Sequence, residues 1–158
     1  MKKSFVIAFA AAGAVLLGAT FSNAESHSNT VSPEMAMIKD GMSAKSLTGA
    51  AGDAASGKKT FANRKLGNCL ACHANKDLSN LLFHGEIGPT LDGVAGRYDE
   101  NQLRAILINS KAVLGEDTIM PSFYRVKNGI RTKKKFVGKT ILTAAQVEDV
   151  LAYLKTLK

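Results

Sequence analysis

The chain has 158 residues, of which 46% are hydrophobic and 22% are charged, and it carries a net charge of +8 with only two cysteines. This length suits a single domain with one modest core. Two cysteines are too few for a structural zinc site built from thiolates alone. The sequence shows no internal repeat, which excludes a repeat architecture.

The first 24 residues have the order of a secretory signal. Two lysines precede an apolar run at 5–17, and the small residues Ser22 and Ala24 then occupy the positions that a signal peptidase reads. This run is shorter than the about 20 apolar residues that span a bilayer, although an uncleaved anchor is the alternative. We therefore predict a signal peptide over 1–24, cleaved after Ala24, and a periplasmic protein without a stable membrane anchor.

Residues 25–52 are rich in serine, glycine, alanine and methionine. This composition predicts an N-terminal extension of partial order, in which the stretch after Pro33 is able to form a short helix. Terminal segments of this kind are commonly poorly ordered. The folded domain is predicted over 53–158.

Three helices are predicted in this domain, and each begins at an N-cap residue: Asp53, Asp99 and Thr143. A glutamine follows Asp99 and Thr143 by three residues, which is the spacing of a capping box. Apolar residues recur at helical spacing after these caps, and loops that contain glycine and proline separate the helices. Because no segment alternates convincingly between apolar and polar residues, the sequence predicts an all-α fold.

The two cysteines stand in the stretch "GNCLACH", where Cys69 and Cys72 are followed directly by His73. A zinc site needs further ligands at a recognised spacing, a thioredoxin-like pair needs a βαβ context, and a plain disulfide over so short a loop constrains the unfolded chain little. Cys-x-x-Cys-His is the attachment signature of c-type haem. The pattern predicts one covalently bound haem c, held by two thioether bonds, with His73 as the proximal iron ligand.

Met120 is the best candidate for the second axial ligand. It lies in a loop between two predicted helices, and Pro121 pushes it towards an extended conformation that can present its thioether to the opposite haem face. His84 is the runner-up, and the remaining candidates are His27, Met35, Met37 and Met42. Two strong axial ligands leave no open iron position, so His/Met ligation favours electron transfer over oxygen or peroxide chemistry.

At this point the chain resembles class I cytochrome c. The stretch "GKKTF" at 57–61 is similar to that family's N-terminal helix, whose glycine and aromatic residue pack on the C-terminal helix. The resemblance implies the class I cytochrome c fold, and it implies that Gly57 and Phe61 contact Tyr153 and Leu154.

The stretch "GPTLDGVAGR" at 88–97 resembles the loop that follows the haem motif in the same family. By this resemblance the Pro89 carbonyl accepts a hydrogen bond from His73 Nδ1, which orients the ligand. The resemblance also implies that Leu91 packs on the haem and that Arg97 approaches a propionate. A solvated surface cation is the alternative for Arg97.

A narrower resemblance covers most of the chain after the leader and is to the SoxX family, the monohaem subunits of SoxAX complexes. It is carried by "SLTGAAGDAASGKKTFANRKLGNCLACH", "GEIGPTLDGVAGRYDENQLRAILINSK", "DTIMPSFY" and "GKTILTAAQVEDVLAYLKTLK". This resemblance implies a SoxA partner, also a c-type cytochrome, in a complex that oxidatively joins thiosulfate to a cysteine of the carrier SoxYZ. The chain would accept electrons and pass them to a small cytochrome c, and it would not be catalytic alone.

The segment 125–139 holds seven cations and no acid. Without the leader, which has two lysines and no acid, the net charge is +6. The seven cations of this segment exceed that value, so the rest of the mature chain has a net charge of −1 and the basicity is local. The scarcity of aromatic residues there and the predicted export argue against a nucleic-acid surface. A solvated loop and a docking surface for an acidic partner remain open.

Two other functions compete with a SoxAX subunit at this stage. One is a free-standing periplasmic shuttle that donates electrons to a terminal oxidase, which would use the same haem without a stable partner. The other is a non-haem thiol-redox or structural protein, which isolation of a haem-free mature protein would favour.

Overall fold

A computed structural model describes residues 30–43 and 45–158. The predicted signal peptide lies outside the described residues, and so does His27. Five α-helices are described: α1 (Ala54–Ala62), α2 (Val94–Arg97), α3 (Glu100–Ile108), α4 (Ser110–Leu114) and α5 (Ala144–Leu154). Short 3₁₀ turns are formed by Cys69–Ala71, Lys76–Leu78 and Lys134–Phe136. The described residues contain no β-strand, and the prediction of an all-α fold is confirmed.

All three predicted N-caps begin helices. Asp53 caps α1 by accepting a hydrogen bond from the Ser56 amide. Asp99 and Thr143 form complete capping boxes with Gln102 and Gln146, at the starts of α3 and α5 respectively. Local sequence therefore determines where the three main helices begin, independently of what they pack against.

Helices α1 and α5 cross at close range, and this contact organises the fold. A Cβ at Gly57 would overlap the backbone carbonyl of Asp149 in α5, so only glycine permits the approach. Next to it, the Phe61 and Tyr153 rings meet edge to face, with centroids 5.3 Å apart. This edge-to-face geometry is the arrangement that aromatic quadrupoles favour. The packing that the resemblance implied for Gly57 and Phe61 against Tyr153 is present.

Helix α3 ends at Ile108, where its apolar stripe also ends. Asn109 ends this helix and is also the N-cap of α4, where its side-chain oxygen accepts a hydrogen bond from the Ala112 amide. The chain then returns along the end of α3, with Phe123 and Tyr124 donating backbone hydrogen bonds to the carbonyls of Leu107 and Ile108. The 120–124 segment is thereby fixed to the C-terminal end of α3.

The N-terminal extension packs on the domain. Leu47 is 1% exposed and belongs to the main core, and Val31 donates a backbone hydrogen bond to its carbonyl. The Tyr124 hydroxyl donates to the Val31 carbonyl at 2.7 Å. The stretch after Pro33 forms a turn and no helix. The described part of the extension thus shares the domain's core, while the division of the chain at residue 53 stays a prediction.

A buried ion pair links this extension to the helices. Arg104 of α3 and Glu148 of α5 are each 3% exposed, and their closest contact, from Arg104 Nε to Glu148 Oε1, is 3.0 Å. Glu148 Oε1 also accepts from the Leu47 amide at 2.8 Å, and Arg104 donates to the Ser43 carbonyl at 3.0 Å. Burying two charges is tolerated because each finds several partners.

No helix among the described residues is long and apolar enough to cross a membrane.

Candidate haem site

A cavity of about 580 Å³ opens between α1, α3, α5 and the loops that join them. Its volume lies within the usual range for cofactor and small-molecule sites. Six of the seven site residues predicted from the sequence line this one cavity: Cys69, Cys72, His73, Pro89, Leu91 and Met120. Segments that are distant in sequence therefore converge on one space.

The His73 ring is held by a single backbone oxygen. Its Nδ1 lies 2.7 Å from the Pro89 carbonyl oxygen. A carbonyl can only accept, so Nδ1 carries the proton and donates it. The lone pair is then on Nε2, which is the atom that can bind a metal.

The loop that carries Pro89 lies directly against the haem motif. Gly88 donates a backbone hydrogen bond to the Cys72 carbonyl at 2.8 Å, and Leu91 donates to the Ala74 carbonyl at 3.0 Å. A Cβ at Gly88 would come within 2.6 Å of His73 Nδ1. Glycine is therefore required at this position for the loop to run under the ring.

The two thiols are presented by a tight turn. Asn68 precedes the 3₁₀ turn in the left-handed region, at φ 51°, and both Cys72 and His73 donate backbone hydrogen bonds to the Cys69 carbonyl. Both cysteines are half-buried and neither forms a disulfide. Burial raises the pKa of the Cys69 thiol to about 12. The turn thus places both cysteines at the cavity wall.

Met120 is half-buried against the core and its backbone is fixed by a buried hydroxyl. Ser110, at 0% exposure, donates from Oγ to the Met120 carbonyl at 2.7 Å. Ser122 Oγ lies 3.3 Å from Ser110 Oγ and donates to Asn109 Oδ1 at 2.9 Å. Sequence reasoning did not identify Asn109, Ser110 and Ser122 as residues of the site. The one available signal for polar contacts here was the pair "NS", Asn109 and Ser110, at the end of the apolar stripe of α3.

His84, the runner-up ligand, lies outside the cavity. Its Nδ1 accepts from the Asn75 amide at 3.3 Å, and its Nε2 lies 3.1 Å from the Leu78 carbonyl. Both ring nitrogens therefore have protein partners. The alternatives Met35, Met37 and Met42 are exposed in the N-terminal extension, and none of them lines the cavity.

Arg97 is the one predicted site residue that does not line the cavity. Its guanidinium donates to the carbonyls of Asp92 and Thr90, both at 2.6 Å. These bonds close the loop between Pro89 and α2. The contact with a haem propionate stays a prediction.

The cavity wall has a one-sided charge. No acidic residue of the described ranges lines it. Four cations do: Arg64, Lys65, Lys133 and Lys135. Lys133 and Lys135 belong to the basic segment 125–139, whereas the other two precede the haem motif. The part of the basic segment around Lys133 and Lys135 is therefore folded against the site.

Comparison with known proteins agrees with this geometry. The family model of cytochrome c matches residues 54–158. The chain belongs to the cytochrome c family. A crystal structure of SoxXA from P. pantotrophus contains a chain 40% identical to this cytochrome, with a TM-score of 0.75, and the match covers 82% of this chain and 98% of that one. A search of curated proteins found no match.

The match to SoxXA identifies a SoxX-like monohaem cytochrome. As a member of the family, the chain carries covalently bound haem c. The cavity residues fit this cofactor, since thiols, an oriented imidazole and a thioether line the same space. The glycine beneath the His73 ring supports the same conclusion, because it keeps the imidazole clear of the loop below it.

Proposed function

We propose that this cytochrome is the electron-accepting subunit of a SoxAX-type complex that oxidises thiosulfate. The observation that carries the proposal is the convergence of six predicted haem-site residues on one cavity, in a chain 40% identical to a chain of SoxXA. Electron transfer follows from the cytochrome c family. The thiosulfate reaction is supported by the SoxXA match and by the sequence resemblance.

In this proposal Cys69 and Cys72 would hold the cofactor covalently, and His73 and Met120 would supply the ligands of its iron. Haem c supplies, when bound, a one-electron couple at its iron. The Pro89 carbonyl fixes the His73 tautomer and makes the imidazole a stronger donor. The Met120 thioether favours the reduced iron and raises the reduction potential relative to a second histidine.

The surrounding residues keep this centre closed. Leu91 and the buried Val94 and Leu107 line the cavity with apolar surface, which disfavours water beside the cofactor. With His73 and Met120 both supplying iron ligands, the site would leave no position for oxygen or peroxide. The protein residues therefore restrict the centre to accepting and releasing electrons.

The proposed partner is SoxA, which carries the catalytic haem with cysteine-derived ligation. This chain has no third cysteine that could supply such a ligand. Electrons released when thiosulfate is joined to SoxYZ would enter through SoxA and leave to a small cytochrome c. The reaction would take place in the periplasm, after removal of residues 1–24.

Spectroscopy of the mature protein with and without SoxA tests this proposal. Optical and EPR spectra should report a low-spin His/Met haem, and mixing with SoxA should give a complex that supports thiosulfate-dependent modification of SoxYZ. A strictly monomeric protein that supports no modification would refute the SoxAX role. Such a protein would leave a free-standing electron shuttle.

A further inference from the structure

An exposed apolar tip stands beside the haem motif, between His73 and Pro89. It consists of Leu81, Leu82 and Phe83, and the last two are 75% and 77% exposed. The Phe83 backbone lies in the left-handed region, at φ 67°. A bulky non-glycine residue held there costs about 1–3 kcal/mol. Among the described residues, the most exposed aromatic side chain thus stands on a strained backbone.

The exposure of this tip does not depend on the haem cavity, because neither Leu82 nor Phe83 lines that cavity. Both line a separate surface groove whose floor includes Ala62 and Leu70. The two spaces meet at Arg64 and Asn68, which line both of them. A molecule seated on the tip would therefore reach the mouth of the haem cavity.

One cation contacts the tip, and two more lie beyond it at the wall of the haem cavity. The Arg64 guanidinium carbon lies 5.4 Å from the centroid of the Phe83 ring. Lys135 Nζ donates to the Lys65 carbonyl at 2.9 Å, which brings the basic segment against the turn that holds Lys65. Exposed cations that line the cavity wall, without an acid among the described lining residues, match an acidic surface on a partner.

These cations lie beside the first cysteine of the haem motif. They stand on or against the turn that leads directly into Cys69, whose Sγ would lie 3.2 Å from a Cβ at Gly67. A partner that binds these cations would therefore lie next to the residues that hold the cofactor.

We propose that the apolar tip and the cations Arg64, Lys65 and Lys135 form the surface on which the SoxA subunit docks. This inference rests on the proposed function and names where its partner binds. An apolar centre with a charged rim is the usual anatomy of a protein interface. Permanent burial in a complex accounts for an exposed aromatic side chain better than a short encounter does, since stable interfaces are the more hydrophobic ones.

The test is the affinity of the haem-loaded mature chain for the SoxA subunit of the same organism, measured by isothermal titration calorimetry. Phe83→Asn removes the ring, and asparagine tolerates the left-handed region well. We expect this variant to keep the melting temperature of the free chain and to bind SoxA on the order of tenfold more weakly. Leu82→Asn should weaken binding too, and Arg64→Glu should weaken it most at low salt.

Matched controls stand in the N-terminal extension. Met37, at 79%, is as exposed as Phe83, so Met37→Asn removes a similar exposed apolar side chain elsewhere. Lys39→Glu repeats the charge reversal away from the cavity. Both controls should bind SoxA like the natural chain.

Two results overturn the inference in different ways. If the natural chain binds SoxA and the Phe83, Leu82 and Arg64 variants bind within twofold of it, the docking surface is wrong and the SoxAX role stands. If the natural chain does not bind SoxA, the proposed function fails and the docking surface fails with it.

Discussion

The buried Ser110 hydroxyl donates a hydrogen bond of 2.7 Å to the backbone carbonyl of Met120. Ser110 is the first residue of α4, one residue after the Asn109 that ends α3, so this bond ties the proposed axial ligand to the junction of the two helices. Ser122, two residues after Met120, is bonded to Asn109 on the same helix end. The methionine is thus positioned by its backbone, which limits the places where its thioether can lie.

Ser110→Ala should loosen this methionine. The substitution leaves the Met120 carbonyl without its buried donor, which costs about 1–3 kcal/mol. The Met–Fe(III) charge-transfer band should then disappear at a lower temperature than in the natural chain. Optical spectra recorded during heating measure this directly. Ser79→Ala, at an exposed serine, is the control, and equal behaviour of the two variants would contradict a role for Ser110 in holding the loop.

Met120→Ala should lower the reduction potential and open the iron to small ligands. The thioether stabilises Fe(II), so its removal favours the oxidised state. Potentiometric titration and cyanide binding followed optically report the two effects. Met37→Ala, at an exposed methionine in the extension, should change neither property. An unchanged charge-transfer band in Met120→Ala would rule out this residue as the ligand.

Gly88→Ala should disturb the proximal side of the site. The new methyl group would lie within 2.6 Å of His73 Nδ1, at the nitrogen that donates to Pro89. Because the contact is with a ring held by the haem motif, we expect loss of most covalently attached haem on denaturing gels. Gly96→Ala is a matched control, since nothing lies within 4 Å of a Cβ there. Normal haem content in Gly88→Ala would mean that the ring can shift without cost.

Local sequence was sufficient to predict where the main helices begin and to identify the haem motif, whereas the resemblance to class I cytochrome c implied Pro89 and Leu91 as cavity residues. Asp99 and Thr143 define helix starts because a cap and its glutamine partner are three residues apart. The haem motif is likewise read within five residues. Met120, far from the haem motif in sequence, was predicted as the second axial ligand because Pro121 limits its conformation and because the chain offers few other soft ligands.

The remaining features depend on contacts that no local pattern encodes. Arg104 and Glu148 are 44 residues apart, and each resembles a solvent-facing charge on its own amphipathic helix. The Leu47 amide completes their network from a segment predicted to be only partly ordered. Ser110 is likewise one polar residue after a helix, and its partner Met120 is identified only by the return path of the chain. Side-chain partners of this kind follow from packing and are not visible in the sequence.

A surface cluster should contribute to the acid sensitivity of the fold. The pKa of Asp77 is lowered from 3.8 chiefly by Lys58, whose ammonium lies 2.8 Å away, and further by the Tyr153 hydroxyl at 2.7 Å. Because the folded pKa is below the unfolded one, the stabilisation is complete above 3.8 and is lost as the pH falls through the lowered pKa.

Asp77→Asn should therefore slightly reduce the free energy of unfolding at neutral pH. In urea denaturation at a series of pH values, that free energy should also fall less steeply with acid than it does in the natural chain. Asp117→Asn, at an exposed aspartate, should leave this acid dependence unchanged. Equal slopes for Asp77→Asn and the natural chain would show that the interaction is fully screened by water at this exposed site.

Glu148→Ala should be the most destabilising of these changes. It leaves the Arg104 guanidinium buried without its main partner, which costs about 3–5 kcal/mol. The same substitution removes the acceptor of the Leu47 amide, so the extension should detach along with the loss of stability. Urea denaturation measures the first effect and hydrogen exchange at the Leu47 amide measures the second. Glu86→Ala, at an exposed glutamate, should alter neither.

A double variant separates the cost of an unpaired buried charge from the net contribution of the ion pair to the free energy of unfolding. Arg104→Met with Glu148→Leu replaces both charges by apolar side chains of similar length, and such replacements are often neutral. We expect the double variant to be more stable than Glu148→Ala while the Leu47 amide still exchanges rapidly, because its acceptor is absent in both. If the Leu47 amide stays protected in the double variant, the core contacts of the Leu47 side chain hold the extension and the ion pair does not.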